Sequence, residues 1–389
     1  MTDSNRAMIP LSEPDTSGNE AAYLQQCIDE NALSNVCGFV DRFETELAKT
    51  TGATQTVAVS SGTSGIHLAL SSLGVEHGDL VIVPSFTFIA TANAVSLCGA
   101  TPWLLDIDAN SWTLCPKQLE EVLRKHVTHS SSGQPIHNKT GQRIGAIVPV
   151  YTLGCPADMD TICALAKQHG IPVVADAAAA IGALYKNAPL AQTAAHLTVL
   201  SFNGNKTITT GAGGAVVGQD QEQLALCKHL STTARSSQSY DHDMAAFNYR
   251  MSNLQAAVGC AQLERLDHFL QAKQRHHAFY QVLSEQLKGT STFPSPAWAT
   301  PTRWLSGLRL SADLYPDLQP IRDRLRSSGV DARPFWKPLH LQKPYQMAPC
   351  EDMPVTNALW PFLLPLPCSV NLSAEDRDYT AQTLQAVLG

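Results

Sequence analysis

The sequence predicts an α/β fold built on a mostly parallel sheet of seven strands, followed by a smaller C-terminal α+β domain. Between residues 56 and 217, short apolar runs alternate with amphipathic stretches. Uninterrupted apolar runs are typical of strands buried on both faces, as in parallel sheets that are covered by helices. The predicted strands are Thr56–Val59, Leu80–Val83, Trp103–Asp106, Ala146–Val150, Pro172–Asp176, Leu197–Ser201 and Gly214–Val217.

Amphipathic stretches between these runs predict the helices that cover the sheet. The polar segment from residue 126 to residue 145 predicts a surface hairpin or loop. Further along the chain, the apolar periodicity of Leu254–Lys273 predicts one long helix. The predicted covering helices are Gly65–Leu73, Ala90–Cys98, Pro116–Lys125 and Asp158–Gln168.

The length of 389 residues predicts two domains, because one simple core rarely organises so long a chain. Beyond about residue 275, the pattern changes to a smaller α+β unit with frequent prolines. We place a large domain at residues 1–265 and a small domain at residues 266–389. Residues 1–35 are a candidate to pack against the small domain.

Composition excludes several classes of protein. The net charge of -7 and the pI near 6.0 argue against a nucleic-acid-binding surface. The cysteines stand singly, without a Cys-x-x-Cys pair, so neither a structural zinc site nor any other metal site is predicted. The polar N-terminus Met1–Arg6 lacks a signal-peptide core, and no apolar run approaches the ~20 residues of a membrane helix. We expect a reduced, cytoplasmic protein without a membrane partner.

Lys206 is the most informative residue of the sequence. A predicted strand ends at Ser201–Phe202 and delivers this lysine into a glycine-rich turn that leads to the next strand. A lysine at the end of a buried strand can be kept as a reactive amine, which forms a Schiff base with an aldehyde such as pyridoxal phosphate (PLP). The alternative is a solvated surface charge.

The segment Ser60–Gly65 follows the first strand and precedes a helix. Small and hydroxylated residues at a helix N-terminus favour an anion site, because free N–H groups and the helix dipole attract phosphate. Plain N-capping is the alternative.

Asp176 and the pair Phe86 and Phe88 follow two other strands. A carboxylate at the end of a buried strand needs a partner, and in a PLP enzyme that partner is the protonated pyridine nitrogen. Capping of the following segment is the alternative for Asp176. One of the two phenylalanines can stack on a flat cofactor ring while the other packs in the core.

In this order, and each after a strand, these segments closely resemble the DegT-type sugar aminotransferases, members of the fold type I superfamily of aspartate aminotransferase. The resemblance runs from Ile9–Leu11 to the region of Tyr345. Ser201–Lys206 with its threonine- and glycine-rich continuation, together with the loop Asn138–Gly141, resembles one branch in particular. That branch aminates C4 of nucleotide-linked 4-keto-6-deoxy-N-acetylhexosamines and supplies precursors of bacillosamine and legionaminic acid.

The resemblance implies a role for each matching residue around the cofactor. Lys206 binds PLP and later shuttles a proton between the cofactor and the sugar C4. Asp176 pairs with the pyridine nitrogen, Phe88 stacks on the ring, and Asn203 lines the site. The residues implied for the cofactor phosphate are Gly62, Thr63, Ser64 and Ser201.

The resemblance also implies partners. Asn248 is expected to reach the cofactor phosphate of a neighbouring subunit, so that a homodimer shares its active sites. Trp336, Lys337 and His340 match the substrate-side segment, where cationic and aromatic groups suit a nucleotide diphosphate. For Lys337, a solvated surface charge is the alternative.

Two positions depart from the family pattern. Ala179 stands where Gln, Glu or His commonly approaches the cofactor ring oxygen, and Ala212 replaces the glutamate of the usual Gly-Glu-Gly-Gly. The related dehydratases carry histidine in place of the lysine, so the presence of Lys206 disfavours dehydration. No arginine for glutamate recognition can be placed from the sequence.

We therefore predict a PLP-dependent aminotransferase that passes through the pyridoxamine phosphate form. L-Glutamate is the expected donor, and the C4 ketone of UDP-4-keto-6-deoxy-N-acetylglucosamine is the expected acceptor. One alternative is amination at C3 or another PLP reaction on a keto sugar. The other is a catalytically silent regulatory protein on the same scaffold.

Overall fold

The computed structural model describes residues 7–34, 38–237 and 240–389. The N-terminal residues Met1–Arg6, on which the signal-peptide prediction rests, lie outside the described residues. The helices are Glu20–Asp29 (α1), Phe39–Thr51 (α2), Gly62–Ser72 (α3), Ala90–Leu97 (α4), Pro116–His126 (α5), Met159–His169 (α6), Gln221–Ser231 (α7), Asn253–Leu263 (α8), Leu266–Gln286 (α9), Gln319–Ser327 (α10), Pro354–Leu359 (α11) and Ala374–Leu388 (α12). The strands are Gln55–Val59 (β1), Leu80–Pro84 (β2), Thr101–Leu105 (β3), Val127–His129 (β4), Pro135–His137 (β5), Ile144–Ile147 (β6), Val174–Asp176 (β7), Leu184–Tyr185 (β8), Ala188–Pro189 (β9), Leu197–Ser201 (β10), Gly214–Gly218 (β11), Thr290–Thr292 (β12), Ala299–Thr300 (β13), Ser306–Leu310 (β14) and Leu363–Leu366 (β15).

The seven predicted strands form one twisted sheet in the order β3-β2-β6-β7-β10-β11-β1. Two parallel bridges, Ile147 with Val173 and Val150 with Asp176, join β6 to β7. Strands β3, β2, β6, β7 and β10 run parallel, and β11 runs antiparallel to both of its neighbours. The prediction of a mostly parallel sheet in an α/β fold is confirmed.

Successive residues of the central strands face opposite sides of the sheet, as strand geometry requires. In β10, Val199 belongs to the apolar cluster beneath α3, α4 and α7, and Leu200 belongs to the cluster beneath α2, α5, α6 and α8. Helix α3 approaches the sheet closely, since a Cβ on its Gly65 would lie 2.8 Å from Val199 Cγ1. Helices cover both faces of the sheet. The carboxyl ends of its parallel strands are therefore left for ligand binding.

The single long helix predicted over Leu254–Lys273 is wrong, because the structure has two helices, α8 and α9, that meet at residues 264 and 265. Arg265 leaves the helical conformation, with φ -110° and ψ 7°. It donates two hydrogen bonds of 2.9 Å to the Asp15 carboxylate, while Glu264 accepts from Tyr23 at 2.6 Å. These partners are distant in sequence, so no local signal marks the break.

The C-terminal elements build a separate α+β layer. Strands β12, β14 and β15 form an antiparallel sheet, and its apolar cluster includes residues of α9, α10 and α12. Ile9 pairs with Val330 near this sheet. The boundary between residues 265 and 266 stays a prediction.

The predicted surface hairpin is present as the antiparallel pair β4 and β5. Across the described ranges, no helix combines the length and apolar character that a membrane span requires.

Candidate active site

A cavity of about 310 Å³ opens at the carboxyl ends of the parallel strands, where ligands bind in sheets of this kind. Strands β1, β2, β6, β7 and β10 each deliver residues to it, from the loops or turns that follow them. Its lining comprises Ser61, Gly62, Thr63, Ile66, Thr87, Phe88, Ala90, Thr91, Val150, Tyr151, Asp176, Ala178, Ala179, Ser201, Asn203, Asn205, Lys206, Ala212, Gly213, Trp304 and Trp336.

Lys206 extends into this cavity from the turn after β10. Its backbone N–H donates to Asn203 at 2.9 Å, and its Nζ lies 3.8 Å from the centre of the Trp304 ring. The surrounding protein desolvates the ammonium and lowers the Lys206 pKa to about 8, although the charge of Asp176 opposes this shift. Neutral amine and ammonium are therefore both populated near neutral pH, as a nucleophile and proton carrier requires.

Asp176 is the last residue of β7 and only 4% exposed. Its Oδ2 accepts a 2.6 Å hydrogen bond from Thr91 Oγ1, and its Oδ1 accepts a 3.1 Å bond from the Ala178 N–H. Burial raises the pKa of this carboxyl, and the bond from Thr91 opposes the rise. Both donors are uncharged, so neither supplies a positive counter-charge for the Asp176 carboxylate. A cationic ligand nitrogen in the cavity would supply it.

The N-terminus of α3 forms a tight cradle beside Ser201. Ser61 caps the helix in a reciprocal capping box with Ser64. A Cβ on Gly62 would lie 2.7 Å from Ser201 Cβ, and one on Gly214 would lie 2.6 Å from the Ser61 carbonyl carbon. Only glycine permits these approaches, which bring Ser201 up to the positive end of the helix dipole.

These residues fit PLP. The α3 N-terminus and the Ser201 hydroxyl suit its phosphate, Asp176 suits its ring nitrogen, and Lys206 suits its aldehyde. Gly62, Thr63, Asp176, Ser201 and Lys206 line one cavity, and their roles at the cofactor stay predictions. Ser64 uses its hydroxyl within the capping box, where it accepts from the Ser61 N–H at 3.0 Å.

Aromatic rings form the cavity mouth. Phe88 is 55% exposed and lies 6.1 Å from Trp336, which stacks at 5.8 Å on Trp304. Phe86, by contrast, is fully buried against Phe335. The two phenylalanines thus divide the roles considered from the sequence, with Phe88 at the cavity and Phe86 in the core.

Besides Ser64, three predicted residues are absent from the cavity lining. Asn248 is exposed and accepts a 3.3 Å hydrogen bond from Arg250 Nε. Lys337 is exposed, whereas both ring nitrogens of His340 are engaged, with Ser85 Oγ at 2.6 Å and Asn357 Oδ1 at 3.0 Å. His340 therefore ties the segment after β2 to α11, and the roles proposed for these three residues stay predictions.

The two departures from the family pattern both lie in the cavity wall. Ala179 offers no side-chain donor there, and its carbonyl accepts a 2.8 Å bond from Thr302 Oγ1. The Ala212 carbonyl accepts a 2.6 Å bond from Gln255 Nε2. Both alanines keep their backbone in the hydrogen-bond network of the site.

Sequence reasoning missed Thr91 and Trp304. Thr91 lies near Phe88 in a segment that the sequence had already marked, and a hydroxyl on the first turn of α4 was the available signal. Trp304 lies about 100 residues from Lys206 along the chain, and nothing local to it indicates a contact with the lysine.

Comparisons with known proteins agree with this geometry. The model of the DegT/DnrJ/EryC1/StrS aminotransferase family matches residues 14–385. GDP-perosamine synthase from Caulobacter vibrioides is 34% identical over 98% of each chain. UDP-4-amino-4,6-dideoxy-N-acetyl-beta-L-altrosamine transaminase from Campylobacter jejuni is 31% identical over 90% of this chain and 89% of its own. A DegT DnrJ EryC1 StrS aminotransferase from Brucella abortus has a crystal structure with a TM-score of 0.85 and 26% identity, covering 95% of both chains.

The chain therefore belongs to the DegT/DnrJ/EryC1/StrS aminotransferase family. It is a PLP-dependent sugar aminotransferase with the fold type I architecture. These relatives do not favour the alternative of a catalytically silent scaffold.

Proposed function

We propose that this aminotransferase moves an amino group from L-glutamate to the C4 ketone of a nucleotide-linked 4-keto-6-deoxy sugar. The observation that carries the proposal is the meeting of Lys206 and Asp176 in one cavity with an aromatic mouth. The Campylobacter jejuni relative, named for a 4-amino-4,6-dideoxy sugar, supports amination at C4.

When bound, PLP supplies an electron sink that lets an amino group pass from donor to acceptor through a pyridoxamine form. Asp176 would hold positive charge at the ring nitrogen, and the α3 N-terminus would hold the phosphate. Lys206 Nζ would accept and return a proton at the reacting carbon, which its pKa of about 8 permits near neutral pH. Phe88 and Trp336 lie at the mouth of the cavity.

Two nucleotides are candidates, and different observations favour them. The branch that Ser201–Lys206 resembles acts on UDP-4-keto-6-deoxy-N-acetylglucosamine, and the Campylobacter jejuni relative is named for a UDP-sugar. GDP-perosamine synthases from Caulobacter vibrioides and Vibrio cholerae are each 34% identical to this chain, which favours a GDP-linked sugar.

We also propose a cytoplasmic homodimer in which Asn248 contributes to the partner's cofactor site. Asn248 is exposed and lies away from the cavity of its own chain. Its neighbours Phe247 and Tyr249 stack at 4.9 Å and hold the segment firmly. An exposed polar side chain on a rigid segment suits a role across a two-fold interface.

The first test is the absorption spectrum of the protein with PLP, before and after L-glutamate. The visible band of protein-bound PLP should form and then shift to the pyridoxamine form. Lys206→Ala should lose the shift and at least about 10³-fold in turnover, since both nucleophile and proton carrier are removed. Lys167→Ala, an exposed lysine on α6, is the matched control.

A panel of keto sugars then identifies the acceptor. The pyridoxamine form, prepared with glutamate, is mixed with UDP-, GDP- and dTDP-linked 4-keto-6-deoxy sugars and with 3-keto sugars. Recovery of the PLP spectrum and the position of the new amine report the reaction. An enzyme that responds to glutamate but aminates only a 3-keto sugar contradicts the C4 proposal and leaves the family assignment intact.

A further inference from the structure

Arg303 is a buried arginine outside the cavity already described. It is 9% exposed, and its Nη1 donates a 3.0 Å hydrogen bond to the Pro294 carbonyl. Among the described residues, its Nε is buried without a hydrogen-bond partner, and no carboxylate in those ranges lies within ion-pair distance of its guanidinium. An arginine keeps its charge in proteins, so this positive charge is buried without a counter-charge.

A small second cavity lies beside Arg303. Thr152 also lines it, and among the described residues its buried hydroxyl has no hydrogen-bond partner. About 10 Å³ at its centre is free, which is room for roughly one monatomic or water-sized occupant. Two residues with buried, unpaired polar atoms therefore line one small space.

The other polar neighbours do not neutralise the guanidinium. Cys155 lines the same cavity, and burial raises the pKa of its thiol to about 12, so the sulfur is uncharged at neutral pH. Ser111 contributes a hydroxyl that is engaged with Thr113 Oγ1 at 2.9 Å. The remaining walls are apolar, among them Trp112 and Phe293.

We propose that this cavity is a binding site for a small monovalent anion, chloride under physiological conditions, held between Arg303 and Thr152. A halide accepts hydrogen bonds from Nε and from a hydroxyl at once, and it brings the negative charge that a water molecule lacks. Phosphate, sulfate and free amino acids exceed the space.

The anion site adjoins the active site through the backbone. Arg303 and Leu153 both adopt left-handed conformations, with φ of 58° and 57°. The Trp304 N–H donates to the Leu153 carbonyl at 3.3 Å, and the Trp304 ring covers Lys206. A neutralised Arg303 thus holds in place the segment that carries Trp304, so occupancy also stabilises the wall above the catalytic lysine.

Thermal unfolding tests the site directly. Sodium chloride is titrated against sodium gluconate at constant ionic strength, with the dimer state checked at each point. Above the dissociation constant, the unfolding midpoint should rise with the logarithm of the chloride concentration, by about 2 °C for each tenfold increase. Arg303→Met should abolish the chloride dependence, and Arg309→Met, an exposed arginine on β14, should leave it unchanged.

Thr152→Val keeps the Arg303 charge and removes one hydrogen-bond donor of the site. It therefore tests the proposal even if Arg303→Met fails to fold. It should weaken chloride binding several-fold. A crystal grown in bromide should show an anomalous peak beside Arg303 Nε. A midpoint that does not respond to chloride overturns the proposal, as does a partner carboxylate found on Arg303 or a bromide bound only elsewhere.

Discussion

The floor of the active-site cavity and its rim differ in how they are built. The floor, which comprises Gly62, Asp176, Ser201 and Lys206, rests on strand ends and a helix start that are buried by two apolar clusters. The rim segment, residues 336–340, lies outside the named helices and strands. Trp336 faces the cavity, Lys337 faces solvent, and His340 binds Ser85 and Asn357. Residues on strand ends converge because the sheet orients them together, whereas adjacent loop residues point in unrelated directions.

The largest effect within this comparison is expected at Asp176 on the floor. Asp176→Asn keeps the size of the side chain but removes its charge, leaving the cofactor cation buried without a partner. Losing one member of a buried pair costs about 3 kcal/mol or more, or roughly 100-fold in turnover. Steady-state kinetics at saturating PLP measure it. Asp160→Asn, an exposed aspartate on α6, is the control, and near-normal turnover in Asp176→Asn would contradict the assigned role.

Thr91→Val tests whether the floor depends on Thr91, which lines the same cavity and binds Asp176. The change is nearly isosteric and removes the 2.6 Å hydrogen bond to Asp176. That bond opposes the rise of the Asp176 pKa, so its loss should weaken PLP affinity by about tenfold. Fluorescence titration of the apo-protein measures the affinity. Thr383→Val, whose hydroxyl binds the backbone of α12, is the control; equal affinity in the two variants would mean that Thr91 only packs.

The pH dependence of PLP uptake tests the lowered pKa of Lys206. Only the neutral amine attacks an aldehyde, and the lowered pKa of about 8 makes that form available at lower pH than for an ordinary lysine. The uptake rate of apo-protein should therefore rise about fivefold between pH 7 and pH 8 and level off above pH 9. Stopped-flow absorbance records it. A rate that still climbs about sevenfold between pH 9 and pH 10 would show an unperturbed lysine.

The smallest effects are expected at the rim. Lys337→Ala removes an exposed charge and should raise the KM for the nucleotide sugar by about threefold, with kcat unchanged. Lys343→Ala is a matched exposed control. His340→Ala should instead lower the unfolding midpoint, because it breaks the contacts to Ser85 and Asn357. A hundredfold loss of kcat/KM in Lys337→Ala would show that this rim residue matters as much as the floor residues, which would contradict the difference between rim and floor.

The accuracy of sequence reasoning follows the same division. The strands and the placement of the floor residues were predictable because each floor residue ends an apolar run or lies in the turn after one, and parallel strands bring their ends together. The break between α8 and α9 was not predictable, because it depends on the contact of Arg265 with Asp15, 250 residues away. Thr91 was missed because its role consists of one hydrogen bond to Asp176, which no spacing encodes.

By itself, the sequence determined the α/β fold and the cofactor class, and it predicted Lys206 as the catalytic lysine, since these depend on local patterns along the chain. Only the tertiary structure decided that Trp304 covers Lys206, that His340 joins Ser85 to α11, and that Arg303 is buried without a counter-charge among the described residues. These features arise where distant segments meet. Desolvation and contact there set the pKa and the orientation of each side chain, and neither is a property of the residue alone.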